Sequence, residues 1–327
     1  MVSSLRQRIT HLHLKELVTK KHGSWVDYFL LPALHLWFSR EPNDDDGLPK
    51  ELEPFFSHIC ETSIPQYRYG RVVLASRAVA LFRVDPVWTK CHLLSVFDWL
   101  IDSNEAAAAW TGFLWSPRIF WPLLTALKAP FLETAKRYSD LGDSTSQFSS
   151  LLLFAALEPQ IGFDVEDFQI AFAQLPQEGL NEAAEQLVQA LEAAGQQAED
   201  YWINRIAPFW HRVWLKSLDR QTKEIAESLA NLCVAARKAF PSTLALLSDW
   251  LQPLEYSQIV LRRLHESGLS AEFPRESLRF VSAIINEQSW MPPALSECMN
   301  DISSAVPTLQ SDAAYRKLEE YLKRHGA

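Results

Sequence analysis

The residues of this sequence that could do chemistry are a histidine pair, several acidic runs, four cysteines and two sets of arginines among tryptophans. His11 and His13 could offer nitrogens to a metal, but residues two apart on a helix point in different directions. His13 and Glu16 share a face. No second pair opposes them, and neither HExxH nor a histidine–aspartate doublet occurs. Asp44, Asp45 and Asp46 have the composition of a magnesium-binding motif, yet Gly47 and the flanking prolines mark a solvated turn. The carboxylate pairs Glu166/Asp167 and Glu319/Glu320 are adjacent, so on helices they diverge instead of sharing a proton. The loops GxxxxGKS/T, GxGxxG and GxSxG are missing. No catalytic, cofactor-binding or metal-binding residue is assigned, and the expectation is a non-enzyme without a cofactor.

The loudest feature is AWTGFLWSPRIFWP, residues 109–122. On a helix ending near Trp115, residues Trp110, Phe113 and Leu114 share one face. Ser116-Pro117 has the form of an N-cap and first-turn proline for a following helix. Trp115 and Trp121 then flank the turn, and Arg118 can stack on either ring. WINRIAPFWHRVW, residues 202–214, repeats the theme with Trp202, Trp210 and Trp214 near Arg205 and Arg212. Both stretches fit a packed helical corner, the reading their spacing favours. The alternative is a partner-binding hot spot, where tryptophan and arginine are enriched. Its candidate residues are Trp115, Arg118, Trp121, Arg212 and Trp214.

The elements that must position these residues read as helices. RYGRVVLASRAVALF (68–82) keeps Val72, Val73, Ser76, Val79, Ala80 and Phe82 on one side, with Arg71 and Arg77 opposite. Residues 88–102 repeat the pattern with Trp88, Cys91, Leu94, Phe97 and Leu100, and 222–240 with Ile225, Leu229, Leu232, Val234 and Ala236. No segment alternates with a period of two for long enough to demand a strand. Ten glycines in 327 residues argue against hairpin-rich and nucleotide-binding folds. Prolines at 86, 117, 159, 208, 241, 253, 274, 292 and 307 fall where one helical run gives way to another. The expected fold is all-α with no sheet, an irregular HEAT-like α-solenoid of antiparallel helical hairpins.

AFPSTLALLSDWL (239–251) and EFPRESLRFVSAII (272–285) both set Phe-Pro before an apolar run, Phe240 to Phe273 being one solenoid repeat apart. The polar stretch SDLGDSTSQ (139–147) is the expected boundary between an N-terminal helical subdomain, 1–138, and a C-terminal helical-repeat subdomain, 148–327, the alternative being that the second continues the first. Leu180, Ala184, Leu187, Leu191 and Ala194 form a narrow stripe suited to packing along another helix, which also allows a homo-oligomer.

The cysteines form no CxxC pair and read as reduced, mostly buried thiols. MVSSLRQRIT lacks a signal core, and LLLFAAL (151–157) is too short to span a membrane. These features indicate a soluble cytoplasmic protein. A net charge of −9 argues against a nucleic-acid partner, although residues 1–22 are locally basic.

AFP at 239–241, WLQPLE at 250–255, LHESGL at 264–269, FP at 273–274 and the closing YxxLxxY from Tyr315 to Tyr321 carry a resemblance, together with WTGFLWSPR at 110–118. The chain resembles an uncharacterised bacterial all-helical domain family. Its members typically lie C-terminal to a sirtuin-like domain in proteins associated with defence against phage. The resemblance implies a bacterial regulatory scaffold or sensor. Its partner would be a sirtuin-like, NAD-consuming effector domain or a phage protein. A glycine-rich dinucleotide loop and the Asn/Asp/His site of a sirtuin are lacking here, so the implied effector belongs to another part of a longer protein or to a separate chain. An all-helical enzyme and a nucleic-acid-binding solenoid are the alternative readings.

Overall fold

The computed structural model describes residues 26–158, 162–215 and 217–325; the basic segment 1–22, with His11, His13 and Glu16, and Pro159 lie outside them. Every regular element among the described residues is helical. The fold is all-α, as the helical period and scarce glycine imply. Two compact units result. The first runs to Ala155 and takes in the segment ending at Gln174; the second comprises Ala156–Glu158 and the chain from Leu175 onward.

The first unit holds α1 (Leu31–Phe38), α2 (Glu53–Ile59), α3 (Arg68–Ser76), α4 (Ala78–Val84), α5 (Ser103–Leu114), α6 (Trp121–Ala126), α7 (Lys128–Glu133), α8 (Thr145–Leu157) as far as Ala155, and α9 (Val165–Gln174). Its centre is α3 against α5. The Asp102 carboxylate accepts from the Asn104 and Glu105 amides and starts α5. Trp110 and Phe113 then enter the core, Trp110 meeting Phe97 edge-on at 5.1 Å. Gly112 lets the two backbones close, since a Cβ there would stand 2.4 Å from the Val72 carbonyl oxygen. Arg68 meets Glu105, and Val72 meets Gly112 further along both helices, so α3 and α5 run in the same direction.

Several expectations are corrected in this unit. The 68–82 run is broken at Arg77 into α3 and α4, and Arg71, placed by periodicity on the polar side, is 1% exposed. Glu105 and three carbonyl groups receive its guanidinium, which makes burial tolerable. Residues 88–102 are not one helix. A π-turn at Thr89–Leu93 leads into a 3-10 turn at Leu94–Phe97, and the extra residue per turn rotates the inner stripe to Leu93, Val96, Phe97 and Trp99. Leu100 and Cys91, expected inside, are exposed. The 139–147 stretch lies within the first unit, because Tyr138, Leu141 and Ser144 turn inward and Tyr138 bonds Ser149 at 3.3 Å.

The second unit holds α10 (Gln177–Ala193), α11 (Ala207–Arg212), α12 (Lys223–Ala235), α13 (Phe240–Leu247), α14 (Gln258–Glu266), α15 (Leu269–Glu272), α16 (Pro274–Ile284), α17 (Ala294–Ala305) and α18 (Ala313–His325). The stripe Leu180, Ala184, Leu187 and Leu191 is buried, with α10 lying along α12. Thr222 bonds Asn181, and past the far ends of both helices Arg237 bonds Gln196, each pair 41 residues apart. α14 and α17 are matched likewise. Gln258 bonds Ala294, Cys298 bonds the Leu261 carbonyl and His265 bonds Asp301, at separations of 36, 37 and 36 residues. Pairs that advance together on both helices mean parallel helices. α10, α12, α14 and α17 thus form one row, while α13, α16 and α18 pack in sequence as another. Pro241 and Pro274 sit in the first turns of α13 and α16, and the Phe240 and Phe273 rings lie 6.4 Å apart. The repeated Phe-Pro therefore opens equivalent, adjacent helices. Tyr315, Leu318 and Tyr321 form the buried face of α18.

Candidate functional site

The residues of the two aromatic stretches separate cleanly into core and surface. In the first unit, Trp110, Phe113 and Leu114 are buried. Trp115, at the C-cap of α5, is 55% exposed. Ser116-Pro117 does not open the next helix. Residues 117–120 run without helix, Phe120 is extended at φ −130°, and α6 begins at Trp121 with Pro122 in its first turn. Arg118 is exposed in this connection, and Trp121 is half-buried with its ring 5.6 Å from Phe163. The corner therefore presents Trp115 and Arg118 outward and anchors Trp121.

In the second unit the corner closes. Trp214 is buried and stacks on Trp210 at 5.0 Å, and Trp250 meets both edge-on. Trp214 is thus a core residue and not a partner-binding one, because the rings of Phe209, Trp210 and Trp250 pack on it. Arg212 is exposed, and half-buried Arg205 pairs with Glu158 at 2.8 Å.

One charged cluster of the first unit was not legible from spacing. Arg71 donates from Nε to Glu105 Oε2 at 2.7 Å and from Nη2 to Oε1 at 2.9 Å, while Nη1 reaches the Ile59, Glu61 and Ile64 carbonyls. Arg68 adds Nε to the same Oε1 at 2.7 Å. Burial pushes the Glu105 carboxyl up, but hydrogen bonds from Arg71 and then Arg68, with their charges, bring it below the ordinary carboxylate value. Beside this cluster Pro65, Gln66, Arg68, Tyr69, Val72 and Ala108 line a groove of about 440 Å³.

No family model, curated protein or solved structure matches the chain. The chemistry of its groups therefore rests on geometry alone.

Two further clusters bring ionisable or nucleophilic groups together. Ser57, Cys60, Glu61, Cys91 and His92 line a polar groove, where His58 bonds Glu61 at 2.8 Å and His92 stacks on Trp88. Burial pushes the Cys60 thiol up to about 12, and it remains protonated. Of the four cysteines, only Cys91 is exposed. A thiol titration of the native protein with a bulky disulfide reagent is expected to consume one thiol rapidly and the other three only on denaturation. A C91S variant should then show no fast phase.

In the second unit Asp301 Oδ2 accepts from both His265 Nδ1 at 2.6 Å and Ser270 Oγ at 2.5 Å. The serine hydroxyl is buried and directed at the carboxylate, not at the imidazole, so this is a brace between α14, α15 and α17 and not a nucleophile–base relay. The hydrogen bond to Asp301 holds the His265 imidazole above its ordinary 6.5, helped by Glu297 on α17 and Glu266 on α14. A histidine with a raised folded-state value contributes stability in full below 6.5 and loses it as pH rises through the higher folded value. Thermal unfolding of the wild type should fall over that rise relative to H265Q, by no more than about 1 kcal/mol for so exposed a pair.

Among the described residues no three His, Cys, Asp or Glu side chains are grouped to hold a metal ion, and no helix is long and apolar enough to cross a membrane.

Proposed function

We propose that this chain is a non-catalytic, HEAT-like α-solenoid that acts in the bacterial cytoplasm as a scaffold or sensor. Its partner is a protein, either a sirtuin-like, NAD-consuming effector or a phage component. The observation that carries this reading is the first-unit corner, where Trp115 stands more than half exposed three residues before exposed Arg118. A tryptophan left in water next to an arginine is the usual anchor of a protein interface. The parallel helix pairs 36 to 41 residues apart in the second unit support the solenoid, since stacked hairpins place every second helix parallel at the repeat length. Affinity purification from a bacterial host, with and without phage, tests the reading. A sirtuin-like or phage protein should be recovered stoichiometrically, and less of it by a W115A/R118A variant. NAD turnover by the purified chain itself would overturn the proposal.

A further inference from the structure

The Arg68–Arg71–Glu105 cluster contains two guanidinium groups and one carboxylate, an excess of one positive charge. Glu105 and Arg71 are sealed inside, at 3% and 1% exposure, so the excess has one outlet. That outlet is Arg68. Its side chain is 46% exposed, its Nε is held by Glu105, and its terminal nitrogens have no partner among the described residues. The guanidinium is thus oriented by a buried carboxylate while two nitrogens remain free to receive another. A bidentate acceptor fits such a fork better than a point charge does.

Arg68 stands on the rim of the groove between α3 and α5, whose other walls are Pro65, Gln66, Tyr69, Val72 and Ala108. Tyr69 is 45% exposed there. Ala108 lies seven residues before Trp115, nearly two full turns, so both point to the same side of α5. An apolar trough, an exposed phenol and indole, and one aimed cation occupy one stretch of surface.

We infer that this groove binds a peptide segment of the partner protein in which an apolar side chain fills the trough while a neighbouring carboxylate pairs with Arg68. The inference rests on the protein-interaction reading above and adds the chemistry of the segment recognised. Charge complementarity selects an acidic segment over a basic one. The trough selects against a bare carboxylate.

The test is selection of a random peptide library displayed on phage against the immobilised full-length chain, followed by titration of synthetic versions of the enriched peptides. Enriched sequences should place Asp or Glu within two residues of an aromatic or branched aliphatic side chain. Replacing that carboxylate by its amide should weaken binding about tenfold, the loss of one charge-assisted pair. R68Q should weaken the parent peptide similarly and leave the amide peptide unchanged. A108L, which narrows the trough and keeps all three charged residues, should weaken both. Circular dichroism of each variant establishes that it is folded. Failure to enrich any peptide, enrichment of peptides without carboxylates, or binding indifferent to both R68Q and A108L would overturn the inference. Such a failure would leave recovery of a partner through another surface intact, so the two proposals fall separately.

Discussion

Gly112→Ala is expected to destabilise the first unit by about 3 kcal/mol, at the upper end of overpacking effects. The sign is what makes the experiment informative. In an ordinary helix interior the same change stabilises by about 1 kcal/mol, because alanine has less backbone freedom to lose. Here the added methyl would meet the Val72 carbonyl oxygen at 2.4 Å, and backbone cannot swing aside as a side-chain tip can. Separating α3 from α5 would also stretch the Arg71–Glu105 pair at 2.7 Å. Denaturant unfolding followed by circular dichroism reads the effect. A more stable G112A would mean that the two helices are not in backbone contact.

Breaking that buried pair from one side should cost still more. Glu105→Leu leaves the buried Arg71 guanidinium without a counter-charge, and about 3 to 5 kcal/mol is expected; Arg71→Leu leaves Glu105 its pair with Arg68 and should cost less. Arg71→Leu also strips a donor from the Ile59, Glu61 and Ile64 carbonyls, so the turn after α2 should loosen. The double variant should recover part of the loss, which a thermodynamic cycle measures as coupling. If the single losses simply add, the pair is not a unit. Glu105 also makes a pH prediction. Its folded-state value lies below the ordinary 4.5, so its contribution is present above 4.5 and disappears as pH falls through the lower folded value. E105Q should be less stable at neutral pH and lose less on acidification.

Helix content was the most legible property, because apolar period and proline punctuation are local. Ile225, Leu229, Leu232 and Ala236 are buried as their spacing requires, and Thr222 caps their helix. Phe240 and Phe273, matched by sequence alone, are neighbours in space. Periodicity failed where the helical phase shifts. The π-turn after Trp88 turned Cys91 and Leu100 outward, and no composition signal marks a π-turn. It failed again at Arg71, whose burial depends on Glu105, 34 residues away on another helix. A window the length of one helix contains only one member of that pair. The aromatic stretches were ambiguous for a related reason. Trp115 and Trp214 are the same residue type in similar company, and only the rings brought by distant segments, such as Trp250 over Trp214, separate core from surface.

The parallel rows of the second unit have a kinetic consequence. Bonds between neighbours in a row join residues 32 to 41 apart, so each closes a loop of modest length. The entropy of loop closure grows slowly with length, and low contact order favours rapid folding. A nascent chain leaving the ribosome can finish one helix pair while the next is still being made. Removing α17 and α18 should leave α10 and α12 paired, because in a quasi-one-dimensional stack cooperativity passes between neighbours and weakens with every interface crossed.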